Sequence, residues 1–433
     1  MPIRDSLPPV AQMLSAEILT NKSFEEAKRY FLDILPELRA QAEWTQANFE
    51  YADDNTFKPS SNFVTTPVSG MNPFSPHGKC SDLICRVKNA NRFAQTMGLY
   101  SDKINIHDPF TTRLLHDDEW SDSEIIGFLA DTIVMQELMP LIDKGVIQFL
   151  NPSCALCTSC YEEFSHRVDN LAGNILEDFK SGFEVSRLDD GYYIETGMLY
   201  EPPITSFLPF ASASRKNISK KRILDYHKEC IADEIREILM GCHSESVQGS
   251  AVFSNSRVAL KALRSLEGRA VPNQIEAWEL AHSADLPWIK DLSVKQVVQL
   301  RDEAENALPQ FREQLAINVS SKNATELNDS DSRSAELIRK LRASAEEVTA
   351  ELHAVNIAGE RKFNTVAGTL GLTVAIYGFG ADFLGPGAAL GTLLSTLGLI
   401  HNASKKDEHD VRKISSKPGY VLVRAKDLLS HAD

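Results

Sequence analysis

Apolar positions along this chain change their period three times, and the changes divide it into segments. Over the first 50 residues the spacing is helical: Ala27, Tyr30, Phe31, Ile34 and Leu38 recur every three or four positions. Ser23 and Glu26 stand ahead of them in a capping-box pattern, in which each side chain satisfies an orphan amide of the first turn. This predicts an N-terminal helical segment over 1–52. Residues 53–78 are rich in Pro, Ser and Asn and read as a linker or long surface loop.

From residue 79 the pattern becomes mixed. KINIHDP (103–109) and VIQFLNP (146–152) are short apolar runs, each stopped by a proline. Between them lies a helical pattern with a Ser/Asp start and Gly145 at its end. A strand, crossover helix and second strand predict a parallel pair. FEVSRL and YYIETGM flank Asp189, Asp190 and Gly191 as a hairpin, and ILDYHKECIADEIREILMGC is helical. SAVFSNS is a further strand feeding the helix VALKALRSLEG. The expectation is a mixed α/β domain over 79–270, hence an α+β chain whose C-terminal half is predominantly helical.

That half opens on a helical connector, 274–318, in which Ser293 and Gln296 form another capping box and Pro309 is expected to kink or split the helix. Residues 319–334 have almost no apolar content and read as a flexible linker. In 335–362, Ile338, Ala345 and Leu352 alternate with Leu341, Val348 and Val355 as heptad a and d positions. They predict either a homo-oligomeric coiled-coil seam through 338–355 or an amphipathic helix on a globular surface. The tail, 405–433, is expected to carry a short strand.

Between these lies 363–404, a glycine-rich run whose sole charged side chain is Asp382. Gly378 and Gly380 follow an apolar stretch as in a dinucleotide fingerprint, but Phe383 occupies the third glycine position and no acidic residue follows at the ribose distance. As a membrane hairpin, 364–381 and 383–404 are two uncharged limbs joined by Gly385-Pro386-Gly387. A limb of 18 residues covers about 27 Å of helix, close to a bilayer core of roughly 30 Å. Ala367 with Gly371 and Gly387 with Gly391 supply small residues four apart for close helix approach. Arg361 and Lys362 precede the run, and Lys405 and Lys406 follow it, the placement of cations expected when both ends stay cytoplasmic. The soluble alternative is a glycine-rich hairpin covered by protein.

Charge and cysteine usage narrow the chemistry. A net charge of −15 argues against general nucleic-acid binding, which depends on clustered cations. The N-terminus lacks the pattern of a secretory signal and the seven cysteines are odd in number, so a cytoplasmic protein with free thiols or metal ligands is expected. Cys154, Cys157 and Cys160 directly follow a strand, and with Cys80 and Cys85 they are candidate zinc ligands, His77 and His166 being substitutes. His107, Asp108, Asp117 and Asp118 are the weak catalytic candidates. Asp108 falls just past a strand's carboxyl end, where carboxylates can hold Mg2+ for hydrolysis, and Asn151 and Asn255 end other strands. No phosphate loop, nucleophile elbow or zinc-protease helix is present in the sequence.

The leading expectation is a binding or effector protein, more a coupler than an enzyme: an α/β sensing domain joined to a hydrophobic hairpin at the inner face of the membrane. The alternatives are a soluble metal-dependent hydrolase or nuclease, and an oligomeric interaction scaffold.

Overall fold

The computed structural model describes residues 7–14, 23–51, 64–75, 77, 80, 82–116, 120–151, 156–179, 183–187, 191–195, 205–209, 219–243, 251–254, 256–264, 288–313, 339–352 and 412–430. The chain divides into two units, Met1–Trp278 and Glu279–Asp433. It is mostly helical, with one small parallel and one small antiparallel sheet.

The first unit is built on four parallel strands: β1 (Val64–Pro67), β2 (Lys103–His107), β3 (Ile147–Leu150) and β7 (Ala251–Phe253), in the order β3-β2-β1-β7. β1 pairs with β2 on one side and with β7 on the other, with Thr65 opposite both Ile104 and Ala251. It is therefore a central strand, yet it lies inside the stretch read as a linker. VTTP has no alternating apolar pattern; its β-branched residues become strand only because partners flank both edges. Pro67 costs the ladder little because it is the strand's last residue.

The predicted crossover is present. α5 (Asp122–Asp143) begins at a complete Ser121–Glu124 capping box and ends at Gly145, whose φ of +70° favours a residue without Cβ. α5 is apolar on every face and is buried accordingly, at Phe128, Val134, Leu138 and Leu141 among others. α2 (Phe24–Asn48), with its Ser23–Glu26 box, belongs to this unit too: Phe31 stacks against Trp120 at 5.1 Å and Phe128 at 5.3 Å. α2 thus packs on α5, whose face buries Phe31.

Helix α3 (Leu83–Tyr100) leads into β2, and α4 (Thr111–His116) follows it. After β3 come α6 (Thr158–Phe179) and an antiparallel sheet of β4 (Glu184–Arg187), β5 (Gly191–Glu195) and β6 (Thr205–Pro209). α7 (Lys220–His243) and α8 (Arg257–Arg264) complete the unit. One core joins Phe164, Val168, Ile175, Ile194, Ile235 and Val258 from α6, β5, α7 and α8. The hairpin β4–β5 was legible in the sequence; β6, an unremarkable TSFLP, was not.

In the second unit, helix Val294–Glu303 starts at the expected Ser293–Gln296 box. It gives way to a turn at 304–307 before helical residues 308–313, the interruption expected ahead of Pro309. Residues 339–352 are helical, and Leu341, Ala345, Val348 and Leu352 are buried within the single chain. Ile338 and Val355 lie outside the described residues. The tail forms a helix, Gly419–Ser430, rather than a strand. YVLV alternates nowhere, since Tyr420, Val421, Leu422 and Val423 are all buried, and only the surrounding helices distinguish a short buried strand from a short buried helix.

Among the described residues α5 alone is long and apolar enough to cross a membrane, and 61% of its most apolar window is buried, as in a core helix. The glycine-rich run 363–404, including Gly371, Gly378, Gly387 and Gly391 with flanking Arg361, Lys362, Lys405 and Lys406, lies outside the described residues.

Candidate functional site

In an open parallel sheet, ligands gather beyond the strands' carboxyl ends, at the point where successive connections depart in opposite directions. Here that point lies between β1 and β7. Ser69 follows β1 and adopts φ +54°, a left-handed conformation that costs an L residue about 1–3 kcal/mol. Its hydroxyl donates to Glu234 of α7, which is fully buried. Ser256, just past β7, donates to the same carboxylate oxygen at 2.8 Å and accepts from the Ala259 amide at the start of α8. Ser254 accepts from the Ser256 amide at 3.0 Å.

Glu234 therefore ties α7 to the residues that follow both strands. One helical turn further, Glu237 accepts from the Ser75 hydroxyl at 3.0 Å and faces His77 Nε2 at 3.6 Å. His77 and Glu237 are partly solvent-exposed whereas Ser75 is buried, so an imidazole and a carboxylate face each other at the rim. Neither Glu234 nor Glu237 was legible as a site residue: both sit on an ordinary amphipathic helix whose charges read as a solvated face.

Asp108 lies at the expected strand end, 2% exposed, but its lone pairs are taken. Oδ1 accepts from the amides of Phe110 and Thr111 at 2.9 and 3.2 Å; Oδ2 accepts from Thr111 Oγ1 at 2.5 Å and from the Tyr51 hydroxyl at 2.9 Å. Burial pushes the Asp108 carboxyl above its ordinary value, and these four donors pull in the opposite direction. A carboxylate with four donors on its two oxygens has no free lone pair for Mg2+. It caps the turn into α4 instead.

We expect Asp108→Ala to lower unfolding free energy by about 2–3 kcal/mol, since it strands the buried Thr111 hydroxyl, the part-buried Tyr51 hydroxyl and two amides. A urea titration followed by far-UV circular dichroism, with and without Mg2+, measures this. A wild-type midpoint that rises with Mg2+ and loses that rise in the variant would restore a metal role.

His107 Nδ1 contacts the Asn151 carbonyl at 3.1 Å, joining the ends of β2 and β3. Asp117, Asp118 and Asn255 lie outside the described residues.

Four of the described cysteines form two pairs. Cys80 is exposed and shares a thiol hydrogen bond with Cys85. Cys157 and Cys160, both exposed, pair at the start of α6. Among the described residues no three His, Cys, Asp or Glu side chains converge to hold a metal ion. Cys154 lies outside them. No family model, curated protein or solved structure matches the chain.

Proposed function

We propose that the protein is a membrane-associated binding or effector protein, in which the α/β unit is the binding part and residues 363–404 form a two-limbed hydrophobic hairpin at the inner face of the membrane. One observation carries the reading. The helix that precedes the run and the segment that follows it are fastened to each other: Lys417 Nζ bonds Glu351 at 2.5 Å and Glu347 at 2.9 Å. The described chain on the two sides of 353–411 is thus joined at one place. A chain that departs and returns at one place, with cations on both shoulders, fits a hairpin that enters and leaves a bilayer from the same side.

Flotation with anionic liposomes tests this. The full-length chain is expected to float with the vesicles, and a variant lacking 363–404 to stay at the bottom of the gradient. Leu372→Arg and Leu393→Arg, near the middle of the two limbs, each add about 2.5–3.5 kcal/mol to insertion, so each is expected to reduce vesicle binding by roughly 100-fold. A full-length chain that never floats overturns the proposal.

A further inference from the structure

A pair of thiols stands at the start of α6, apart from the Ser69, Glu234 and Ser256 hydrogen bonds. The carbonyl of Cys157 accepts the Tyr161 amide at 2.9 Å, which makes Cys157 the residue that caps α6, with Cys160 three positions on in the first turn. Cys157 stands just ahead of the helix and Cys160 in its first turn, the Cys-x-x-Cys arrangement at a helix start in which a thiolate is favoured and two thiols can exchange with a disulfide. Both side chains are open to solvent.

We propose that Cys157 and Cys160 are a reversible dithiol–disulfide site, in which Cys157 is the attacking thiolate and Cys160 the resolving thiol, and whose co-reactant is a low-molecular-weight disulfide. In the first step Cys157 Sγ bonds one sulfur of the small disulfide, whose S–S bond breaks and releases one small thiolate. In the second, Cys160 gives its proton to solvent and its sulfur attacks Cys157 Sγ, expelling the second small thiol. Two protein thiols are oxidised and one small disulfide is reduced to two thiols.

The assignment of roles follows the local electrostatics. The Cys160 amide, followed by the Cys160 thiol and the Ser159 amide, donates to the Cys157 sulfur and holds its thiol below the usual range. The same contact raises Cys160, as expected of the partner that keeps its proton. The other pair is a built-in control: the Cys85 thiol is pushed up by its hydrogen bond with Cys80, with no comparable ring of amides. Cys230, half-buried and likewise raised by burial, is a second reference.

The test uses the full-length protein in graded mixtures of oxidised and reduced glutathione, with differential alkylation and peptide mass spectrometry. A Cys157–Cys160 disulfide is expected to appear first. At neutral pH Cys157 is expected to alkylate about tenfold faster than Cys85 or Cys230. Cys160→Ser is expected to trap a glutathione adduct on Cys157, whereas Cys157→Ser leaves Cys160 largely unmodified. Because the side chains are exposed, circular dichroism should be unchanged in both variants. Equal adducts on the two single variants, no disulfide at full oxidation, or stoichiometric zinc on the purified chain that both variants release would each overturn the proposal.

Discussion

Asp131→Ala is expected to destabilise the first unit by about 3–5 kcal/mol, a large share of the 5–15 kcal/mol that holds a domain of ordinary size together. Asp131 is 3% exposed on α5 and answers two guanidinium groups. Arg86 of α3, itself 8% exposed, pairs with Oδ1; Arg113 of α4 pairs with Oδ2 at 2.6 Å. Arg86 also reaches the Gly127 carbonyl at 3.4 Å, while its Nε has no partner. Arg113 additionally lies 5.2 Å from the Phe128 ring centre. One carboxylate thus joins three helices, and its removal leaves a desolvated cation that cannot titrate away.

The comparison that isolates this cost is the apolar replacement Asp131→Leu with Arg86→Met. It removes the buried pair instead of breaking it, and is expected to recover about half of the loss. Urea midpoints of both variants decide the matter. If Asp131→Ala shifts the midpoint by less than the equivalent of about 1 kcal/mol, the triad is a surface-grade ion pair and the account of α3, α4 and α5 fails.

Gly419→Ala is expected to disrupt the second unit by about 3 kcal/mol. A Cβ at Gly419 would overlap the Ser344 carbonyl and stand 2.8 Å from the Ala345 amide nitrogen, so the obstacle is backbone and cannot rotate aside. The helix Gly419–Ser430 would have to withdraw from 339–352. With it would go the Lys417 contacts to Glu347 and Glu351, and strain would reach Arg424, which bonds Glu303 and, at 2.9 Å, Asp427. For a unit of this size the loss corresponds to a melting shift of roughly 6–12 °C. Differential scanning calorimetry should show it in one transition only, with the first unit unaffected. An unchanged thermogram would mean that the two helices do not meet at this glycine.

These cases show how much of the molecule could be read without coordinates. The helix starts at Ser23 and Ser293 were legible because a capping box is a local pair of hydrogen bonds between residues three apart, and the start near Ser121 was legible from its Ser/Asp run. The parallel pairing of β2 with β3 was legible because strand, helix and strand follow one another directly, and that order admits few topologies. Asp108 was correctly placed at a strand end, but its role was not legible: Tyr51, which fills one of its lone pairs, lies 57 residues away in sequence.

The sequence alone determined the periodicities, the caps, the cysteine spacing and the composition of the glycine-rich run, all of them properties of neighbours along the chain. Only the tertiary structure decided that VTTP is a central strand, that YVLV is helical, that Leu341 and Val348 are buried, and that Glu234 joins the residues after β1 and β7. Each of those outcomes depends on which distant residue supplies a hydrogen bond or excludes water. Local propensity differences of a few tenths of a kcal/mol are smaller than the one to several kcal/mol of such a contact, so packing prevails wherever the two disagree.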